Sequence, residues 1–154
     1  MRGMISINIR YPNGEEETRA LKNLVLDVGR ERIVDAFING TVLKNFGEIH
    51  LGRYAVDGTP TTPPTAGNDD TEMASDDPSE CLDIVEQSIV NSGLTIKNIS
   101  ESISVTGDPL EFNELALYQG GQGDTLYIFS RVVLEDLEII PEDAQFTINW
   151  LITF

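Results

Sequence analysis

The sequence predicts a mostly β protein, an antiparallel β-sandwich of jelly-roll-like kind with one helix near its N-terminus. Two observations carry this prediction. Turn residues recur every ~8–12 residues through the second half of the chain, and the apolar residues between them alternate with period two. About six to eight strands are predicted, a number that suits a sandwich or a barrel. The 154 residues fit one domain, so we expect 1–154 to fold as a unit.

The first segment, 1–20, is predicted to contain an N-terminal strand. Ile5, Ile7 and Ile9 alternate with polar residues, which is the pattern of a half-buried strand. The Pro-Asn-Gly sequence at 12–14 then supplies turn chemistry. A hairpin and an extended N-terminal arm fit this pattern equally well.

A helix is predicted over 27–39. Its apolar residues recur at the three-to-four-residue spacing of a helix: Val28, Ile33, Val34, Phe37 and Ile38. Asp27 is predicted to cap the N-terminus, and Asn39-Gly40 reads as a C-terminal stop.

The strand pattern resumes over 46–51 and ends at Gly52, after which 57–78 is predicted to be a long exposed loop. This segment is rich in proline, threonine and acidic residues, a composition that cannot bury a core of its own. Long loops inside compact domains are usually functional or mobile. The segment is therefore a candidate contact element.

The remaining residues, 81–154, are predicted to form the β-rich half. Strand candidates lie at 82–90, 112–118 and 126–134, and the last is apolar on both faces, which predicts a central position. A parity change near 97–98 predicts a bulge or a short turn. The final strand is the clearest, because alternate residues form one strongly apolar face that we expect to line the core: Phe146, Ile148, Trp150, Ile152 and Phe154.

The charge of the chain restricts its partners. There are 26 acidic against 10 basic residues, a formal net charge of −16. Nucleic acids and anionic membranes both attract basic surfaces, so neither is an expected partner. No apolar run reaches the ~18–20 residues of a membrane span, and the N-terminus lacks the apolar core of a signal peptide. One cysteine, Cys81, excludes an internal disulfide framework and a cysteine-rich zinc site.

Arginine supplies most of the basic residues, and lysine is scarce. A surface dominated by aspartate and glutamate repels itself unless salt screens the charge, and at molar salt the Debye length falls to ~3 Å. Two interpretations stay open. The chain is adapted to high salt, or it is an ordinary acidic protein that happens to be poor in lysine.

No catalytic, cofactor-binding or metal-binding residue is predicted, and the protein is expected to be non-enzymatic. The only histidine, His50, lies in a predicted strand, and its pairing with Cys81 stays open in the sequence. The favoured interpretation is an exposed or hydrogen-bonded strand residue for His50 and a half-buried packing residue for Cys81.

Two further motifs give weak signals. The acidic run at 68–72 has oxygen ligands suited to calcium, but its spacing does not match a calcium-binding loop, so a solvated loop is favoured. The glycine-rich run at 120–123 is followed by a β pattern instead of a helix. A phosphate cradle needs that helix, so a hairpin turn is predicted.

The order of motifs resembles that of small virion structural proteins of tailed viruses, of phages or of haloarchaea. The resemblance begins at Val28-Gly29-Arg30 in the helix and continues with Ile-His-Leu-Gly at 49–52 and the loop rich in threonine, proline and aspartate. Three β segments follow at 112–118, 126–132 and 146–154, and the last contains the pattern Thr-x-x-Trp-x-Ile-x-Phe. Ala116 departs from the pattern, since the group commonly has glycine there.

This resemblance implies a non-enzymatic building block of a virion, present in symmetric copies. A head decoration or turret protein and a tail or fibre-anchoring protein both fit, and an exposed appendage is favoured because an acidic surface suits brine. The implied partners are other copies of the chain and neighbouring virion proteins, with a host-surface glycan as a further candidate.

The alternative function is that of a carbohydrate-binding β-sandwich module. Such a module needs exposed aromatic rings, for which Tyr54, Tyr118 and Tyr127 are the candidates. It would also expose Trp150, whereas the predicted core strand buries this residue.

Overall fold

The computed structural model describes residues 1–40, 45–53, 73, 80–90, 95–120 and 125–154. The predicted loop at 57–78 lies outside the described residues except for Met73. The helix and strands are β1 (Arg2–Arg10), β2 (Glu16–Val25), α1 (Asp27–Asn39), β3 (Phe46–Gly52), β4 (Glu80–Val90), β5 (Thr95–Ser100), β6 (Ile103–Ser104), β7 (Leu110–Gln119), β8 (Tyr127–Ile140) and β9 (Gln145–Thr153).

The described residues form a mostly antiparallel β structure with one short helix, as predicted. The strands follow the order β1-β2-β8-β7-β3-β4-β5-β9-β6, and because β1 also pairs with β9 the sheet nearly closes on itself. Within this order β7 returns to lie beside β3, giving the sequence β7-β3-β4-β5. The strands β3, β4 and β5 are neighbours in the sheet in their chain order, and β7, the next long strand, lies on the other side of β3. This order is a Greek-key arrangement.

The N-terminal segment forms a hairpin, so the extended-arm alternative is wrong. β1 pairs with β2 from Gly3 opposite Asn23 to Arg10 opposite Glu16. The tight turn between them is closed by the Gly14 N–H, which donates to the Tyr11 carbonyl at 2.9 Å. Gly14 has φ +87°, a conformation that glycine adopts without a steric penalty. β2 continues beyond residue 20 to Val25.

The final strand, β9, lies between β1 on one side and β5 and β6 on the other. Its inward residues Phe146, Ile148, Trp150 and Ile152 are at most 1% exposed, which confirms the predicted core face. Phe154 was predicted to share that face and does not. It follows the last paired residue, Thr153, and is 48% exposed.

One core fills the space that the curved sheet encloses. Residues from the inner faces of β1, β3, β7, β8 and β9 form a single apolar cluster, whose largest fully buried members are Trp150, Phe112, Phe129 and Phe146. The rings of Phe46 and Phe129 meet edge to face with centroids 4.7 Å apart. Strands that are distant in sequence therefore share one desolvated interior.

The bulge predicted near 97–98 is absent, because β5 runs through these residues without a register shift. The parity change arises because polar residues occupy inward positions of β5. Asn98 is fully buried and its Nδ2 donates to the Trp150 carbonyl at 3.1 Å. Ser100 Oγ accepts from the Ile148 N–H at 2.9 Å. The irregularity lies instead in β4, between Ile84 and Glu86.

β8 extends six residues beyond the predicted end at 134 and reaches Ile140. β8 pairs with β7 from Tyr127 to Ile140, whereas it pairs with β2 only opposite Leu24 and Val25. Beyond this short ladder the Arg19 side chain connects the two strands. Its Nη1 donates to Glu138 Oε2 at 2.7 Å and to the Ile139 carbonyl at 3.2 Å.

The Arg19 contact predicts acid sensitivity. Hydrogen bonds from Arg19 and then from the Tyr11 hydroxyl lower the pKa of Glu17 to about 2, from an ordinary 4.5. A lowered native pKa stabilises the fold above the unfolded value and loses that effect as the group is protonated. We expect the parent to lose stability, relative to Glu17→Gln, between about pH 4.5 and about pH 2.

Urea denaturation at a series of pH values measures this difference. Glu15→Gln is the matched control, because Glu15 is exposed and lies in the adjacent turn. A constant difference between the parent and Glu17→Gln across this pH range would contradict the role of the Arg19 network.

Candidate functional site

Helix α1 carries the most exposed apolar group among the described residues. The helix occupies the predicted range, but Asp27 does not cap it. The N-cap is Leu26, without a side-chain cap, and Asp27 lies in the first turn, where it accepts from Arg30 Nη1 at 3.1 Å. Gly40, at φ +66°, ends the helix with its N–H donating to the Ala36 carbonyl at 3.1 Å.

Close packing against β8 fixes which side of α1 faces outward. Gly29 is buried, and a Cβ at this position would lie 2.6 Å from the Phe129 carbonyl oxygen, so only glycine allows this approach. One turn further on, the Arg32 guanidinium lies 3.4 Å from the centre of the Tyr127 ring. Ile33 packs against the core. These residues define the inward side of the helix.

The outward side is therefore apolar in part. Phe37 is 86% exposed, Ile38 74% and Val34 53%. The five apolar residues that predict the helix therefore lie on two sides of it. Two of them pack inward, Val28 and Ile33, and the other three are exposed. Contiguous exposed apolar residues of this kind mark contact surfaces.

Acidic residues lie beside this apolar group. Asp27, Glu31 and Asp35 are all exposed and recur every four residues, a spacing that aligns side chains along a helix. We name these three residues, together with Val34, Phe37 and Ile38, the α1 outer face.

The structure brings His50 and Cys81 together, an arrangement the sequence left open. They are directly opposite in the β3–β4 ladder, and facing residues of such a ladder point to the same side of the sheet. His50 Nε2 donates to Glu48 Oε2 at 2.7 Å, which confirms a hydrogen-bonded strand residue. The ring of Tyr118 lies against the imidazole, with centroids 4.4 Å apart.

Cys81 itself is exposed, so the prediction of a half-buried packing residue is wrong. Its neighbour Leu82 takes the inward position of β4 and is fully buried, which turns Cys81 outward. A thiol opposite an oriented imidazole has two parts of a nucleophilic site. The ladder position alone does not define a reaction, so we assign none to this pair.

A buried ion pair that sequence reasoning missed lies on the same side of the sheet. Arg131 Nε donates to Glu114 Oε1 at 2.6 Å, and the two side chains are 4% and 0% exposed. Ala116, opposite both His50 and Arg131, belongs to a small apolar cluster with Leu26 of the helix junction. The sequence does contain a signal for this pair, because Glu114 and Arg131 are charged residues within predicted apolar strands.

The aromatic residues proposed for sugar stacking do not form a platform among the described residues. Trp150 is fully buried, and Tyr118 packs against the small cluster around Ala116. Tyr127 is 37% exposed, but the Arg32 guanidinium covers its ring. Tyr54 lies outside the described residues.

The acidic run at 68–72 lies outside the described residues, and so does the glycine-rich run at 120–123 apart from Gly120. Across the described residues no group of three or more histidine, cysteine, aspartate or glutamate side chains is placed to hold a metal ion. In the same residues no helix is long and apolar enough to cross a membrane. No protein-family model, curated protein or solved structure matches the chain.

Proposed function

We propose that the protein is a non-enzymatic structural subunit of a tailed-virus particle, acting as an exposed appendage adapted to high salt. The proposal includes a head decoration or turret protein and a tail or fibre-anchoring protein. The resemblance of its motif order to that of small virion proteins supports this assignment. Its partners are other copies of itself and neighbouring virion proteins.

The observation that carries the proposal is the exposure of Val34, Phe37 and Ile38 on a helix fixed to a well-packed sheet. A subunit that functions alone gains nothing from an outward phenylalanine that is 86% exposed. A subunit that docks against a neighbour gains roughly 25 cal/mol for each Å² of apolar area it removes from water. A rigid body with an apolar contact surface is what particle assembly requires.

A jelly-roll-like sandwich is the finer fold that we propose. The Greek-key order β7-β3-β4-β5 supports it, because jelly rolls combine such keys into two facing sheets. The single apolar cluster between β1 and β9 on one side and β3, β7 and β8 on the other is compatible with two facing layers.

Adaptation to high salt gives a measurable expectation. A net charge of −16 destabilises the folded subunit at low ionic strength, and salt screens this repulsion. We expect the thermal midpoint to rise steadily between about 0.1 M and about 3 M KCl. A variant with three exposed acids neutralised (Glu15→Gln, Asp136→Asn, Glu142→Gln) should show a smaller rise. A flat or falling midpoint for the parent would contradict salt adaptation.

Quantitative mass spectrometry of purified particles tests the proposed function directly. Particles are isolated from cells infected with a virus that encodes the chain, and peptide abundance is compared with that of the major capsid protein. The expected result is a constant ratio across density-gradient fractions. Absence from particles, together with binding to immobilised polysaccharide, would replace the proposal with the carbohydrate-binding alternative.

A further inference from the structure

The chemistry of the α1 outer face restricts what can cover it. Its apolar residues occupy one side of the exposed helix surface. The carboxylates of Asp27, Glu31 and Asp35 form a row along the adjacent side. Within the helix Arg30 pairs with Asp27 at 3.1 Å, and Asn39 Nδ2 donates to Asp35 Oδ1 at 2.5 Å. A partner therefore meets apolar surface beside a row of negative charge.

The charge of the chain also favours a basic partner over a second copy. A second copy docked through the same face would bring its own Asp27, Glu31 and Asp35 close to these carboxylates, and like charges in contact across an interface oppose association. A basic partner would place its cations in direct contact with these carboxylates, at separations close to the ~3 Å Debye length of molar salt, where part of the attraction persists.

We propose that the α1 outer face binds a basic amphipathic helix of another protein, whose apolar side covers Val34, Phe37 and Ile38 while its lysines or arginines face the acidic row. This inference rests on the proposed function, since the partner would be a neighbouring protein of the particle. Helices that recognise one another in this way place anchors at i, i+3, i+4 and i+7. The spacing of 34, 37 and 38 matches the first three of these positions.

Binding of two synthetic helical peptides to the isolated full-length chain tests the proposal. One peptide has leucines at i, i+3, i+4 and i+7 flanked by lysines, and the other has glutamate in place of every lysine. Fluorescence anisotropy measures both, from low to molar KCl. The Leu/Lys peptide should bind, and the Leu/Glu peptide should not. Salt should weaken binding without abolishing it, because the apolar contact persists when charge is screened.

Two isoleucines provide a matched pair of variants. Ile38 on α1 is 74% exposed and Ile89 on β4 is 73% exposed, so replacement of either by serine removes the same surface group. Ile38→Ser should weaken binding of the Leu/Lys peptide by about tenfold or more, whereas Ile89→Ser should leave it unchanged. The double variant Glu31→Gln with Asp35→Asn should reduce the difference in affinity between the Leu/Lys peptide and the Leu/Glu peptide.

Three outcomes would overturn this inference. They are equal effects of Ile38→Ser and Ile89→Ser, no binding of the Leu/Lys peptide, and concentration-dependent dimers that Ile38→Ser abolishes. The last would make a second copy the occupant. All three leave particle membership intact. The proposed function itself fails only if the chain is absent from purified particles, so the two failures are distinguishable.

Discussion

Trp150→Ala is expected to destabilise the protein by about 3–5 kcal/mol, the usual cost of truncating a large aromatic residue in a core. Trp150 is fully buried in β9, and its backbone carbonyl accepts the hydrogen bond from the buried Asn98 amide. The cavity would open in the apolar core, on the inner face of β9. Urea denaturation, followed by circular dichroism, measures the loss.

Two control variants define the cause of that loss. Phe154→Ala removes an aromatic residue of the same segment that is 48% exposed, and it should cost well under 1 kcal/mol. Trp150→Phe should cost less than Trp150→Ala, because it retains a ring and removes an indole N–H that has no acceptor among the described residues. A parent and a Trp150→Ala variant of equal stability would contradict the core position of β9.

Glu114→Gln should also cost about 3–5 kcal/mol, because it removes the carboxylate charge that pairs with the buried Arg131 guanidinium. The two side chains are almost fully buried, and each belongs to a strand in the middle of the sheet order. Arg131→Met should be similarly destabilising, since it removes the guanidinium that pairs with the fully buried Glu114 carboxylate.

The double variant Glu114→Leu with Arg131→Met separates pairing from packing. Replacement of a whole buried ion pair by apolar residues of similar size is often neutral or stabilising. We therefore expect the double variant to be more stable than either single variant, with a strong coupling in the double-mutant cycle. Additive losses would show that the two residues act independently and would contradict the ion pair.

Many of the strands were predictable from the sequence, because a strand that buries one face has apolar residues at every second position. β1 and β9 show this most clearly, and each has a fully buried inner face, Ile5 and Ile7 in one and Ile148 and Trp150 in the other. The pairing order was not predictable, since β1 contacts β9 from the opposite end of the chain. Period-two alternation indicates a strand without identifying its neighbour.

The sequence predictions were wrong where polar or charged residues form part of a strand. The parity of the apolar residues changes near 97–98, which predicts a bulge or a short turn. The inward position there belongs to Asn98, whose side chain hydrogen-bonds with the Trp150 carbonyl and with Gln87. The second half of β8 was missed because Asp136 and Glu138 resemble a loop. The hydrogen-bond and ion-pair partners that hold such residues are distant in sequence.

The helix was predictable, but its inward side was not. Apolar spacing locates a helix without saying which side packs, and in α1 the deciding residues are Gly29 and Arg32, neither of which is a hydrophobic residue. The outward position of Phe37 follows from that packing, and it is the feature on which the functional proposal depends.

The central claim is that the α1 outer face is a contact surface within an assembled particle. Thiol labelling of two cysteine variants in a Cys81→Ser background, Ile38→Cys and the matched Ile89→Cys, tests this claim in free subunits and in purified particles. We expect rapid labelling of both variants in free subunits and strong protection of Ile38→Cys in particles. Equal labelling of Ile38→Cys in free and assembled subunits would contradict it.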